Sequence, residues 1–487
     1  MEPSGALERG LTVLRVVTAA PQRRWRATDL VQATGLARAT VDRVLATLVT
    51  LGYLRADGRD VLLAPRLLEL GAAYLAASGL PATLGPHAEA LAEELDESVS
   101  LAVPDGGSVR FVARYTRRRT MTVALRVGDV LAAGRCAAGF VLLGAAVPWA
   151  VDDQLVEPGL VAVAMPVHEP GGEAVCAVSV ISHTSRHTAD GLREHALPHL
   201  RRAVAAMEAA LRLDPPRRLV PGADLSRVPK DELGAAYLQS LARGLGVLVA
   251  LGAAPGGLTL AEAAQVTGLA RATVRRAVQT MERFGYVSAR RARFVPLPRV
   301  LELGYAHLSA LTLAEVVQPH LAALAERVRE SASVAVLSGD DVVYVARVPT
   351  ASIMSVDITL GTRFPAHATS MGRVLLAAEP AARLAALELK PLTCRTVTDP
   401  KLLAEAVRQA GRDGYALVDQ ELEDGVRSIA VPLCDGDGNV VAAVNVATHA
   451  SRATTQTLVE RVLPELTSAA ARMTADLSHL PSYGSIS

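Results

Sequence analysis

The sequence predicts an α+β chain in which two winged helix-turn-helix heads alternate with two α+β sensor domains, the first of them shortened. Three observations carry this. Helical spacing gives way to short alternating strands twice along the 487 residues. The octapeptide TGLARATV, Thr34 to Val41, returns at Thr267 to Val274, an offset of 233. Arginine also gathers in one place: Arg271 to Arg293 holds seven arginines and one acid, Glu282, a local net of +6 in a chain whose total is +1. A period this long is too large for a solenoid and describes two copies of a whole two-domain unit. So dense a cationic element is an electrostatic footprint for phosphate.

Leu7, Leu11, Leu14 and Val17 fall on one side of a first helix, Leu7 to Ala20. Thr28 to Thr34 gives a short second helix, Gly35 the turn, and Ala37 to Leu51 a recognition-type helix. Tyr53 to Pro65 alternates around Asp57-Gly58 as a β-wing. Arg66 to Ser78 reads as a linker helix with Leu67, Leu70 and Tyr74 on one side. From Pro86 come a helix, strands at Val99 to Val103, Val109 to Tyr115 and Met121 to Val127, and a helix from about Cys136. After Val161 two more strands follow, broken by the turn at Glu169 to Gly172, then a helix from Ala189 to Leu211. Helices around an antiparallel sheet make an α+β domain.

Asp214 to Val228 is rich in Pro, Arg and Asp without apolar periodicity and reads as a linker. The second copy begins near Lys230, with helices at Gln239 to Ala250 and Leu260 to Thr267. Its recognition helix follows Gly268, with Leu269, Val274, Val278 and Met281 on the inner face and Arg271, Arg275 and Arg276 outside. The expected boundaries are heads at 1–65 and 230–298, linker helices at 66–79 and 299–317, sensor domains at 80–213 and 318–477, an inter-copy linker at 214–229 and a tail at 478–487.

Only 3% of residues are aromatic while half are hydrophobic, so the cores are Ala, Val and Leu. One uncharged apolar stretch, Cys136 to Val151, has 16 residues and an internal proline, and its counterpart contains Arg373, so no membrane span is expected there. The start lacks a basic segment followed by an apolar run. Cys136, Cys176, Cys394 and Cys434 stand singly, without metal-ligand spacing, and fit a reducing cytoplasm. No cofactor and no metal are expected.

QSLARGLGVL (Gln239 to Leu248), TGLARATVRRAV, PRVLELGYAHL, GTRFPAHATSMGRVLLA (Gly361 to Ala377), VDQELEDGVRSIAVPL (Val418 to Leu433) and VVAAVNVATHASR (Val440 to Arg452) together resemble an IclR-type transcriptional regulator. The second copy most resembles the subgroup controlling protocatechuate and β-ketoadipate catabolism, and the first copy resembles the family more loosely. The resemblance implies GAF-like effector-binding domains, a double-stranded DNA operator, a small organic acid effector and assembly as dimers or tetramers. An internal pseudo-dimer, with or without a second chain, is the expected form. Activator and repressor both remain open.

Arg271 and Arg276, beside Thr273 and Arg275, have the planar fork for bidentate contact with guanine, while Arg290, Arg291 and Arg293 on the wing suit phosphate. The plain alternative is solvated surface charge. Arg38, Thr40 and Arg43 are the first-copy counterparts, but Arg38 to Asp60 nets only +1 and Asp42 replaces Arg275. The second head is therefore expected to supply most of the affinity, with Arg23, Arg24 and Arg26 helping the first. Both recognition helices start at Ala (Ala37, Ala270) where the family often has Ser, which removes a cap.

In the second sensor domain Thr369 and Ser370 precede a helix beginning with Met371, where backbone N–H groups suit a carboxylate. The resemblance places Ser370, Ser428 and Asn445 around the effector pocket, with Asp419 and Glu421 near its mouth. Arg363, His367 and Arg427 are acid ligands or structural ion pairs. In the first copy Gly134, Cys136 and Ala137 replace His367, Thr369 and Ser370. The offset then jumps from 233 to 266, so 33 residues are missing, and Val161, Ala162 and Ser179 replace Arg427, Ser428 and Asn445. That domain is expected to be structural. Two other functions fit the sequence less well. A sensor acting through protein partners would need both heads inert on DNA. An enzyme using Cys136 or Ser370 with His367 as base lacks a nucleophile elbow, metal spacing or nucleotide loop.

Overall fold

The computed structural model describes residues 5–117, 125–144, 147–213, 237–349 and 358–480. The linker expected at 214–229, the start of the strand expected at Met121 and the end of the tail lie outside the described residues. The chain forms two compact bodies, 1–310 and 311–487, so both heads share a body with the first sensor domain.

The first head comprises α1 (Ala6–Ala19), β1 (Trp25–Arg26), α2 (Ala27–Thr34), α3 (Arg38–Thr50) and a wing of β2 (Leu54–Asp57) and β3 (Asp60–Leu63), in sheet order β1-β3-β2. Leu11, Leu14, Leu30, Val41, Val44 and Leu48 are wholly buried among its helices. Gly35 ends α2 in the left-handed region, φ +69°, which a side chain resists. A 3-10 turn at Pro65–Leu67 leads into α4 (Leu68–Ser78) and α5 (Leu80–Leu95).

The first sensor domain follows with β4 (Ser98–Asp105), β5 (Ser108–Tyr115), β6 (Val130–Ala132), α6 (Ala137–Leu143), β7 (Ala150–Asp153), β8 (Leu160–His168), β9 (Ala174–His183) and α7 (Ala189–Leu211). Its antiparallel sheet runs β6-β5-β4-β9-β8-β7. The described part of the expected Met121 to Val127 strand is not extended pairing; the edge strand is β6.

The second head has α8 (Gln239–Ala250), α9 (Leu260–Thr267), α10 (Arg271–Phe284), β10 (Val287–Arg290) and β11 (Arg293–Pro296). The linker helix expected from Arg299 is broken into a 3-10 turn, Pro298–Glu302, and a short α11 (Tyr305–Leu308). The cause is Gly304, at φ +86° and packed on Leu67, Thr18 and Leu63 of the first copy. Its counterpart Gly71 stays inside α4.

The second body holds α12 (Leu313–Val328), β12 (Ser331–Ser338), β13 (Asp341–Val348), β14 (Arg363–Pro365), α13 (Ser370–Leu376), α14 (Ala381–Ala385), α15 (Pro400–Asp413), β15 (Ala416–Asp419), β16 (Val426–Cys434) and β17 (Val440–His449). A closing helical run contains α16 (Thr455–Thr457), a π turn and α17 (Leu463–Leu477). The sheet order, β14-β13-β12-β17-β16-β15, repeats that of the first sensor domain. Met371 and Leu375 of α13 pack on the sheet residues Ala335, Ala430 and Ala443, and Leu403 and Val407 of α15 join the same core. The 33 residues missing from the first copy are α14, α15 and their connections.

The two heads pair through their first helices. A Cβ on Gly10 would lie 2.2 Å from Leu241, and one on Gly244 would lie 2.5 Å from Leu7. Leu7 and Gly10 occupy the places in α1 that Leu241 and Gly244 occupy in α8, so the contact is reciprocal, as across a two-fold axis. Arg15–Glu302, 3.1 Å, and Arg283–Glu8, 4.0 Å, bridge the copies. Each copy also locks its wing base with one tyrosine: Tyr53 donates to Glu69, and Tyr286 donates to Glu302 at 2.8 Å.

Candidate DNA-binding surface and small-molecule cavity

On α10, Val274, Val278 and Met281 are buried, which leaves Arg271, Arg275 and Arg276 exposed, with Thr273 half-buried. Arg271 and Arg275 have no ion-pair partner among the described residues, and Arg276 donates only to the carbonyl of Ala272, 3.3 Å. Arg290 and Arg291 are exposed on the wing. Arg290 pairs with Arg293 across the ladder, so Arg291-Ala292 is a two-residue turn with φ +47° and +67°. Glycine and asparagine usually fill such turns. Arg293 departs from expectation: it pairs with Glu262 at 2.8 Å and donates to the carbonyl of Gly257, so it fastens the wing to α9. The Glu262 carboxyl is held below its ordinary range by the Thr259 backbone N–H and by Arg293.

Four arginines of the first head are paired with its own acids. Arg38 grips Asp42 one turn along α3, 2.9 and 3.0 Å. Arg24 pairs with Asp57 at 2.6 Å, Arg26 with Asp60 at 3.0 Å, and Arg23 with Asp29 at 3.4 Å while lying over Trp25. Arg43 is exposed and Thr40 half-buried on α3. Neither Ala37 nor Ala270 caps its helix through a side chain.

In the second body the expected effector residues scatter. Thr369 caps α13, accepting from the Gly372 N–H at 2.9 Å, and the hydroxyls of Ser370 and Ser428 meet at 2.8 Å. Met371 is wholly buried in the core. His367 is buried, with Nε2 3.2 Å from the Lys390 carbonyl. Arg363 is a structural clamp on Asp341 and the Ser338 carbonyl. Arg427 binds Asp419 at 2.8 Å and the carbonyls of Ala450 and Ala453, which holds the Asp419 carboxyl below its usual range. Glu421 is buried against Arg373.

A cavity of about 340 Å³ opens instead over β12, β13 and β17, lined by residues that include Ser331, Ser333, Tyr344, Arg347, Asn445 and Arg452. Of the ten expected effector residues only Asn445 lines it. The missed residues had one faint signal: Ser331 and Ser333 put hydroxyls on the same face of an otherwise apolar strand. Burial raises the Tyr344 phenol to about 12, so it stays neutral. The first sensor domain has the same sheet but only about 10 and 20 Å³ of space there. Ile181, Leu160 and Phe111 stand where Ala447, Val426 and Tyr344 stand in the second copy. Cys136 is buried, which raises its thiol pKa.

Among the described residues no single helix is long and apolar enough to cross a membrane.

The family model of the IclR helix-turn-helix domain matches residues 6–58 and 240–291, and that of the bacterial transcriptional regulator IclR C-terminal domain matches 145–209 and 305–475. The chain is 43% identical to the Pca regulon regulatory protein of Pseudomonas putida, over 50% of this chain and 84% of that protein. It is 34% identical to the p-hydroxybenzoate hydroxylase transcriptional activator of Acinetobacter baylyi, over 47% and 88%. A solved structure of a Rhodococcus sp. RHA1 protein is 46% identical, covering 50% of this chain and 98% of that one, with TM-score 0.45. About half of this chain thus spans most of each relative, as a tandem duplication requires. Two helix-turn-helix matches, two C-terminal matches and the Pseudomonas and Acinetobacter relatives establish that the chain belongs to the IclR family of DNA-binding transcriptional regulators.

Proposed function

We propose that one molecule grips its operator with both heads, the second supplying most of the affinity, and that a small organic acid in the second sensor domain shifts the heads between arrangements of different DNA affinity. One observation supports this above the others: of the two heads joined by a reciprocal helix contact, only the second presents, among the described residues, a cluster of arginines without acid partners. Arg271, Thr273, Arg275 and Arg276 read the groove, and Arg290 and Arg291 reach phosphates. Arg38, Thr40 and Arg43 serve a second, weaker half-site. Joining the heads in one chain raises the effective concentration of the second and permits unequal half-sites.

The effector enters the cavity beside Asn445, and the filled first sensor domain serves as a scaffold. The relatives' names favour an acid from aromatic catabolism, with a dicarboxylic acid as the alternative. In this reading the protein is no enzyme and works in the cytoplasm. The test is a footprint on DNA upstream of its own gene and its neighbours, with and without protocatechuate or β-ketoadipate. Two unequal protected half-sites, altered by one acid, are expected. Absence of salt-sensitive protection on every such fragment would overturn the reading.

A further inference from the structure

Over the first turns of their recognition helices the two heads present the same outward side chains with a single exception. Arg38, Ala39, Thr40 and Arg43 of α3 repeat as Arg271, Ala272, Thr273 and Arg276 of α10, while Asp42 stands against Arg275. Asp42 and Arg275 are both exposed. One position therefore carries opposite charges in two otherwise matching surfaces.

Asp42 takes Arg38 by one atom. The Arg38 Nε donates to both Asp42 oxygens, at 2.9 and 3.0 Å. A guanidinium holds five N–H donors in one plane, so the four on Nη1 and Nη2 remain for another partner. Such a fork is what meets guanine O6 and N7 in the major groove. With Nε tied, its plane is set before it reaches a base, and less side-chain freedom is left to lose on contact. Arg271 has no such holder. Arg275, one turn along α10, is a like charge that repels it, and neither has an acid partner among the described residues.

The wings carry the contrast further. Arg24 and Arg26 of the first head are met by Asp57 and Asp60, whereas Arg290 and Arg291 of the second are exposed at its wing tip. Cations facing phosphate add affinity that is blind to sequence. Contacts to base edges carry the information.

Resting on the reading that both heads engage one operator, we propose that Asp42 is a positioning residue that makes the weaker head the more selective one. Arg38, held by Asp42, reads one guanine in its half-site. The second head supplies the grip and tolerates change at the corresponding base pair, the one that faces Arg271. Grip and sequence choice are divided between two copies of one helix.

The test takes the full chain and a footprinted operator, replaces each base pair of both half-sites in turn, and reads affinity by gel shift over a salt series. Protection lost in Arg43→Ala marks the half-site of the first head. Replacing one guanine there is expected to weaken binding about five- to hundredfold, and the corresponding change in the other half-site to cost clearly less. Asp42→Ala should abolish that preference without lowering affinity for the altered operator. Asp42→Arg should make the first head copy the second, with tighter binding, a steeper salt dependence and no preference at that base pair. Melting temperatures check that both variants fold. A preference that survives Asp42→Ala, with affinity raised equally on every operator, shows that Asp42 only repels phosphate and overturns the proposal while leaving both heads on DNA. Folded protein that protects no half-site overturns the reading beneath it.

Discussion

Arg276 and Arg43 occupy equivalent faces of the two recognition helices, yet Arg276 lies among unneutralised arginines while Arg43 adjoins the Arg38–Asp42 pair. Arg276→Ala should weaken operator binding by about 1–3 kcal/mol and Arg43→Ala by less, read by gel shift over a salt series; equal losses would refute the unequal-head reading. At the wing tip, Ala292 holds φ +67°, where an L side chain costs about 1–2 kcal/mol. Ala292→Gly should raise thermal stability while leaving both wing arginines in place, which a melting curve checks. Helical period alone revealed Arg271, Arg275 and Arg276, because it needs only neighbours in sequence. It did not reveal that Arg293, Arg363 and Glu421 are consumed by ion pairs, since Glu262, Asp341 and Arg373 lie 31, 22 and 48 residues away.

At the level of elements, Ala189–Leu211, Gln239–Ala250 and Leu260–Thr267 are helices with the termini the sequence pattern indicates. The two-residue β1 and the break at Gly304 were not legible, because both depend on contacts made by other parts of the fold. The wing tie also has a pH signature. Because the folded Glu262 carboxyl sits below its ordinary value, its contribution is complete above that value and is lost as pH falls through the folded one. Glu262→Gln should therefore flatten the acid side of the stability profile, measured by thermal melts from neutral pH downward. Across the β9 and β17 faces, Ala447→Ile should copy the first domain's plug. It should abolish acid binding to the full chain by calorimetry while operator binding without acid persists.

For the whole molecule, the duplication was plain from one repeated octapeptide, but the grouping of both heads with the first sensor domain was not. That grouping rests on surfaces such as Gly10 against Leu241, whose partners lie more than two hundred residues apart. Bulky substitution there, Gly10→Leu, should separate the heads and cost the cooperative part of binding. Operator affinity should fall toward that of one head while the protection of the stronger half-site remains, seen by footprinting.

The Gly10–Leu241 and Gly244–Leu7 contacts also have a genetic meaning. Where paired heads come from separate chains, a damaged allele contributes subunits that spoil healthy ones, and such alleles act dominantly. Heads paired within one polypeptide are not shared between alleles, so a lesion in either recognition helix stays confined to the molecules that encode it and should be recessive in a merodiploid cell. The same confinement lets the two recognition helices drift apart in sequence without any need to avoid mismatched partners.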